Sequence, residues 1–224
     1  MNLKRLLAGT AAAALLAVTA SCGSNNTSKT SYRSDETSKA SDNVPAGTGY
    51  DSKVVAAKDG PKLSFSNVEA APGERVGVTL SVSGADKNWS MCGLHVTYGE
   101  ELECIVLDES QGFIDYELGS ASKFSTGSVG MIWTTKLAKE LTDNHLGSLF
   151  FTEVFDGDKG LDGDIATFYF KVPSDAKPGT VYPIGIYYMP PTEQREDMFR
   201  NAAGDLTLEK YAFENWVGGS VTVK

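Results

Sequence analysis

The densest cluster of chemically capable side chains is Asp156-Gly-Asp158-Lys-Gly-Leu-Asp162-Gly-Asp164. Alternating aspartates in a glycine-rich loop are the residue types calcium takes, because a hard cation gathers roughly six to eight oxygens. The register does not fit an EF-hand: Gly160 holds the fifth position and no Glu stands at the twelfth. The stretch therefore reads as a solvated turn between two strands. His95 and His145 are the only histidines, too few for a multi-histidine metal site, and no Gly-x-Ser-x-Gly elbow supports a serine nucleophile. Glycoside hydrolysis needs only two carboxylates, and 29 acids leave such a pair open, but no stretch resembles a hydrolase site. The expectation is a protein without catalysis, metal or cofactor.

One cysteine does carry a chemical signal. Lys4 and Arg5 precede an apolar run from Leu6 to Ala20, which is short for a permanent membrane span. Val18-Thr-Ala-Ser-Cys22 follows and resembles a bacterial lipobox, in which the cysteine receives diacylglycerol and becomes the new N-terminus. Residues 1–21 are thus expected to be a lipoprotein signal peptide. Cys22 would be the lipidation site, holding the chain to the cell membrane on its extracellular side through about 0.8 kcal/mol per buried methylene. Residues 22–60 follow as the lipidated cysteine and a Ser/Thr-rich tether, with Tyr32 and Val44 the only large apolar residues between 23 and 49. Such a composition buries too little surface to offset its chain entropy.

Charge narrows the partner class. With 29 acids against 20 bases the chain carries a formal charge of −9, and cleavage would remove Lys4 and Arg5 but no acid. Nucleic-acid binding rests on Lys and Arg neutralising phosphates, so no nucleic-acid partner is expected. The membrane would be met through the lipid alone. Nothing in the sequence points to an oligomer, and a monomer is the expectation.

Residues 61–224 form the working domain. Val76, Val78, Leu80 and Val82 alternate against Arg75, Gly77, Thr79 and Ser81, the period of a half-buried strand. Leu63–Val68 precedes it across the turn Ala71-Pro72-Gly73-Glu74. Further strands are expected at Met91–Tyr98, Leu102–Leu107, Val129–Thr135, Leu149–Phe155, Ile165–Val172, Val181–Met189 and Gly218–Val223. Only residues 136–144 and 192–203 read as helical. Nine short strands without alternating helices indicate an all-β sandwich or a closed barrel. In the third strand Cys92, Leu94, Val96 and Tyr98 share the core face, leaving Met91, Gly93, His95 and Thr97 outside. Cys104 alternates inward on the next strand, so a bridge to Cys92 is permitted in a secreted protein, with two small buried thiols the simpler reading.

Several segments, in order, resemble cohesin modules. Phe65-Ser-Asn-Val-Glu-Ala-Ala-Pro-Gly-Glu74 with the alternating strand after it is similar to the opening of that family. Gly93-Leu-His-Val-Thr-Tyr98 before Leu102-Glu103, and Gly163-Asp-Ile-Ala-Thr-Phe-Tyr-Phe-Lys-Val172, resemble its third and seventh strands. Ala176-Lys-Pro-Gly179 and Gly218-Gly-Ser-Val-Thr-Val223 fit its late turn and last strand. Gly99-Glu100 replaces the usual Asp-Pro, and an insertion near 190–212 precedes the last strand, departures similar to the divergent ruminococcal cohesins. The resemblance implies a nine-stranded sandwich of jelly-roll topology with a short helical insertion before the last strand. It also implies dockerin binding through the sheet of strands eight, three, six and five.

Family position and strand parity together nominate the contact residues. They are Met91, His95 and Thr97 on strand three, and Tyr187 and Met189 on strand eight. Strand five contributes Met131 and Trp133, and strand six Phe151 and Glu153, with the parity of both strands open. His95 is expected at the surface of that face. The partners would be dockerin-bearing enzymes or scaffoldins of a cellulosome-like system for polysaccharide degradation, and any calcium would arrive with the dockerin. The rival reading is a carbohydrate-binding sandwich that stacks sugars on Trp89, Trp133, Trp216 and surface tyrosines, which needs a planar row of exposed rings.

Overall fold

Alternating valines and leucines can only be satisfied by two apolar sheet faces closing on each other, and that is the arrangement in the computed structural model. It describes residues 60–133, 139–188, 197–203, 208, 212–213 and 216–224. The signal peptide, Cys22, nearly all of the tether and Met189 lie outside the described residues.

The strands begin with β1 (Lys62–Phe65), β2 (Asn67–Ala70), β3 (Arg75–Ser83), β4 (Met91–Gly99) and β5 (Glu103–Cys104). Next come β6 (Val106–Asp108), β7 (Phe113–Ile114), β8 (Tyr116–Leu118) and, after a 3-10 turn at Ser120–Ser122, β9 (Ser125–Ile132). A short helix α1 (Lys139–Asp143) leads to β10 (Leu146–Phe155), β11 (Gly163–Lys171) and β12 (Val181–Tyr187). The last are β13 (Met198–Arg200) and β14 (Gly219–Val223).

One sheet runs β1-β3-β11-β5 with β8 also on β11; the other runs β2-β14-β12-β4-β10-β9-β7-β6 with β13 also on β4. The nine expected strands are all present, and the fold is the expected jelly-roll sandwich. Two of them are divided, because the chain changes sheet within them. Leu63–Val68 becomes β1, paired with β3, and β2, paired in parallel with β14. The break falls at Ser66, whose hydroxyl accepts the Thr79 N–H at 2.9 Å. Leu102–Leu107 divides likewise into β5 and β6.

The expected helix at 192–203 needs correction. Met198–Arg200 is a strand on the β4 edge, with Phe199 opposite Cys92. β12 covers that edge only from Tyr98 to His95, so the remaining N–H and C=O groups call for a strand partner rather than a helix. Among the described residues of the insertion, 208, 212 and 213 are helical.

Inward side chains of both sheets build one core. Phe151 of β10 meets Phe168 of β11 edge to face at 5.3 Å, and Tyr98 meets Phe170 at 5.1 Å. Trp89 closes one end, stacked on Phe199 at 5.0 Å and edge-on to Phe155 at 4.8 Å. Gly160 lies against that indole, where a Cβ would fall inside the ring. Cys92 and Cys104 are free, buried thiols in different sheets. Burial pushes Cys104 up to about 12 and Cys92 well above its ordinary value, so both are inert as nucleophiles at neutral pH.

Candidate functional site

The register across β12, β4, β10 and β9 reproduces the expected order of strands eight, three, six and five, and it arranges their outward side chains in rows. Arg200, Met91, Val154 and Gly127 form the first row, and Met198, Gly93, Thr152 and Val129 the second. Tyr187, His95, Phe150, Met131 and Phe113 form the third. Gly185, Thr97 and Ser148 form the fourth, continued by Trp133, whose N–H donates to the Ser148 carbonyl at 3.0 Å.

Burial differs sharply along this face. Val154 and Val129 in the first two rows are 43% and 39% exposed, whereas His95 and Thr97 in the third and fourth are fully buried. Tyr187 is buried in a small cluster with Leu141 of α1 and Leu146. The Trp216 ring lies over Gly185, leaving no room for a larger side chain there. The face therefore has a closed end and an open end.

Met91, Met131 and Trp133 occupy outward positions as expected, all half-buried. His95, Thr97 and Tyr187 also point outward but are covered, which corrects the expectation that His95 is a surface residue. The parity of β10 corrects two further assignments. Leu149, Phe151 and Phe155 commit one face of that strand to the core, and period two carries Glu153 in with them. Phe151 and Glu153 thus lie between the sheets, and the outward residues are Phe150, Thr152 and Val154. The run Leu149-Phe-Phe-Thr-Glu-Val-Phe155 is apolar on both faces, so period alone did not choose, and a glutamate normally marks the wet side. Asp197, Val129 and Val154 were not singled out at all, since nothing in their local sequence distinguishes them.

His95 is held by Asp197. One carboxylate oxygen accepts the His95 backbone N–H at 3.1 Å and stands 2.7 Å from the ring Nδ1. This occurs at the last β4 residue that β12 covers, two residues before β13 joins the edge at Gly93, so the side chain supplies a hydrogen bond at the junction of the two strands. The ring packs edge-on to Trp133 at 5.0 Å and tilted against Phe150 at 4.9 Å, and its Nε2 is buried without a hydrogen-bond partner.

Glu153 is fully buried, and burial pushes its carboxyl up to about 7 against the downward pull of the Ser122 hydroxyl. Ser122 Oγ lies 2.8 Å from Glu153 Oε2 and 2.7 Å from the Ile165 carbonyl oxygen. One hydroxyl proton cannot serve both acceptors. A neutral Glu153 resolves this by donating to Ser122, which then donates to Ile165. This group is a core acid, not a contact residue.

The aspartate loop holds its own chain. Asp162 accepts the N–H groups of Gly84 and Ala85 at 2.9 and 2.8 Å, Asp158 that of Ala202 at 2.6 Å, and Asp164 the Ser81 hydroxyl at 2.7 Å. Among the described residues no group of three or more His, Cys, Asp or Glu is placed to hold a metal ion. The tryptophans do not form a stacking row: Trp89 is buried in the core, Trp133 lies half-buried against His95, and Trp216 lies half-buried over Gly185.

No protein-family model and no curated protein matches the sequence. Solved structures do match. A type III cohesin module from the cell-surface anchoring scaffoldin ScaE of Ruminococcus flavefaciens superposes with a TM-score of 0.63 at 25% identity. That match covers 80% of this chain and 98% of that one. This chain has the fold of cohesin modules. The sixth cohesin of scaffoldin B from Acetivibrio cellulolyticus, solved in complex with a Cel5 dockerin mutant, shares the fold at 22% identity. Its TM-score is 0.50, over 74% of this chain and 99% of that one. In this fold, the rows across β12-β4-β10-β9 are the outer face of the sheet that the resemblance singled out.

Proposed function

We propose that this cohesin-like sandwich is a non-catalytic receptor for dockerin-bearing enzymes or scaffoldins, held at the outer side of the cell membrane by a lipid on Cys22. The observation that carries the reading is the superposition on the Ruminococcus flavefaciens module along almost the whole length of that module. The lipobox-like Val18–Cys22 and the Ser/Thr-rich stretch after it support the anchoring. Together they would put the sandwich on a tether of about 40 residues, in the flexible regime. Protein binding needs no catalytic group, and its specificity comes from the shape and polarity of one face. Calcium, in this reading, belongs to the dockerin.

Calorimetry of the chain against dockerin modules encoded in the same genome tests the proposal. Binding of at least one, with a Kd of about 1 μM or tighter, is the expected result. Failure to bind any of them sinks it.

A further inference from the structure

One hydroxyl between the two sheets holds a buried carboxyl and also ties the 3-10 turn at Ser120–Ser122 to β11. We propose that Glu153 and Ser122 form a proton-operated latch. With Glu153 protonated, its O–H reaches Ser122 and the Ser122 O–H pins the turn to β11. Loss of the Glu153 proton turns the Ser122 hydroxyl away from Ile165 and loosens the turn. The latch lies inside the sandwich and does not depend on which partner the protein binds.

Three observations lead there. The first is a proton count. Ser122 Oγ stands 2.8 Å from Glu153 Oε2 and 2.7 Å from the Ile165 carbonyl oxygen, so its single proton serves one of them at a time. A protonated Glu153 supplies the missing donor. A carboxylate is the stronger acceptor and takes the Ser122 proton for itself, leaving the Ile165 carbonyl with the Gly119 N–H at 2.8 Å. The second observation is charge. Glu153 is fully buried; among the described residues its Oε1 has no hydrogen-bond partner, and no Lys, Arg or His pairs with it. The titratable groups around it bring no positive charge inward. From β4 it faces the Cys92 thiol, which also feels Asp197, and from β9 it faces Ser128, bonded to Tyr116 of β8. Beside Ser122, Lys123 is exposed over the Phe124 ring, and on β11 Asp164 is turned outward to Ser81. Ionisation therefore buries an unpaired charge, a cost that opening toward water relieves. The third observation is where the wall gives. The turn meets β11 through the Gly119 N–H, the Ser122 hydroxyl and the Ser120 hydroxyl, which accepts the Asp164 N–H at 3.3 Å. Beyond the turn, β9 is exposed at Thr126 and Gly127, and its ladder with β10 breaks register between Val154 and Phe155, next to Glu153. The other walls are packed core, so the turn is the element free to move.

The test is an NMR titration of the isotopically labelled chain from about pH 5 to pH 9. Glu153 Cδ, the Ile165 carbonyl carbon and the Gly119 and Ser122 amides should move together with one midpoint near 7. The last three should stay still in Glu153→Gln, whose side-chain amide donates to Ser122 at every pH. Amide exchange reads the loosening. Protection of the Gly119, Ser122 and Leu161 N–H groups, corrected for the intrinsic rate, should fall at least tenfold from about pH 5 to pH 8, with little dependence on added urea. In Glu153→Gln that fall should vanish. Glu153 already ionised at pH 5 overturns the latch, and so does a titration that Ile165 and the turn do not follow. Turn amides that exchange only with the strong urea dependence of Phe168 in the core also overturn it, because ionisation would then unfold the whole domain rather than release one element.

Discussion

Glu153 shows how a single side chain can stand at odds with its type. Its folded carboxyl titrates near 7, above the ordinary 4.5, because burial penalises the charged form. A raised acid contributes stability that is complete below about 4.5 and is lost as pH rises through about 7. At about 1.4 kcal/mol per pKa unit, the loss amounts to about 3 kcal/mol. Glu153→Gln should therefore be more stable than the parent at pH 8, with the advantage shrinking towards pH 5. Urea unfolding at the two pH values measures this; an advantage that does not change with pH would refute a buried titrating acid. Cys92 and Cys104 make a simpler case. Their burial predicts that neither reacts with iodoacetamide in the native state, and that both react once guanidinium has unfolded the chain.

Elements explain why the candidate face resisted a reading from spacing alone. A strand buried on one side announces its parity, as Val76–Val82 did, whereas β4 is buried on both faces along nearly its whole length. Its outward residues are covered by elements distant in sequence: Leu141 of α1 reaches Tyr187, and Asp197 reaches His95. Asp197 merits a direct test because it supplies a hydrogen bond at the junction of β12 and β13. Asp197→Ala leaves the His95 N–H and a ring nitrogen buried without their acceptor, and should cost about 3–5 kcal/mol. Asp197→Asn keeps an acceptor oxygen and should cost less. Equal stability of all three chains in urea would mean that this hydrogen bond is supplied in another way.

At the scale of the whole molecule, the reading joins an anchor, a tether and a receptor. Cys22→Ala should release the protein into the medium, scored by blotting membrane and medium fractions; retention on the membrane would refute lipidation. The fold itself was largely legible, because strand period, Pro-Gly turns and the order of short motifs are local properties. Phe65–Val78 declares a strand, a turn and the start of the next strand, Gly93–Tyr98 and Gly163–Val172 each declare a strand, and their order along the chain resembles the cohesin family strongly enough to imply the topology.

The candidate site was legible only in part. The sequence by itself determined the class of fold and the outward parity of Met91, His95 and Thr97, since a strand alternates regardless of what lies above it. Only the tertiary structure decided which outward residues are open. Exposure depends on what folds back over a face, and here Leu141, Asp197 and Trp216 come from elsewhere in the chain to close one end, Asp197 from 102 positions beyond His95. The same long-range packing turned Phe151 and Glu153 inward. No local pattern encodes a cover supplied from elsewhere in the chain.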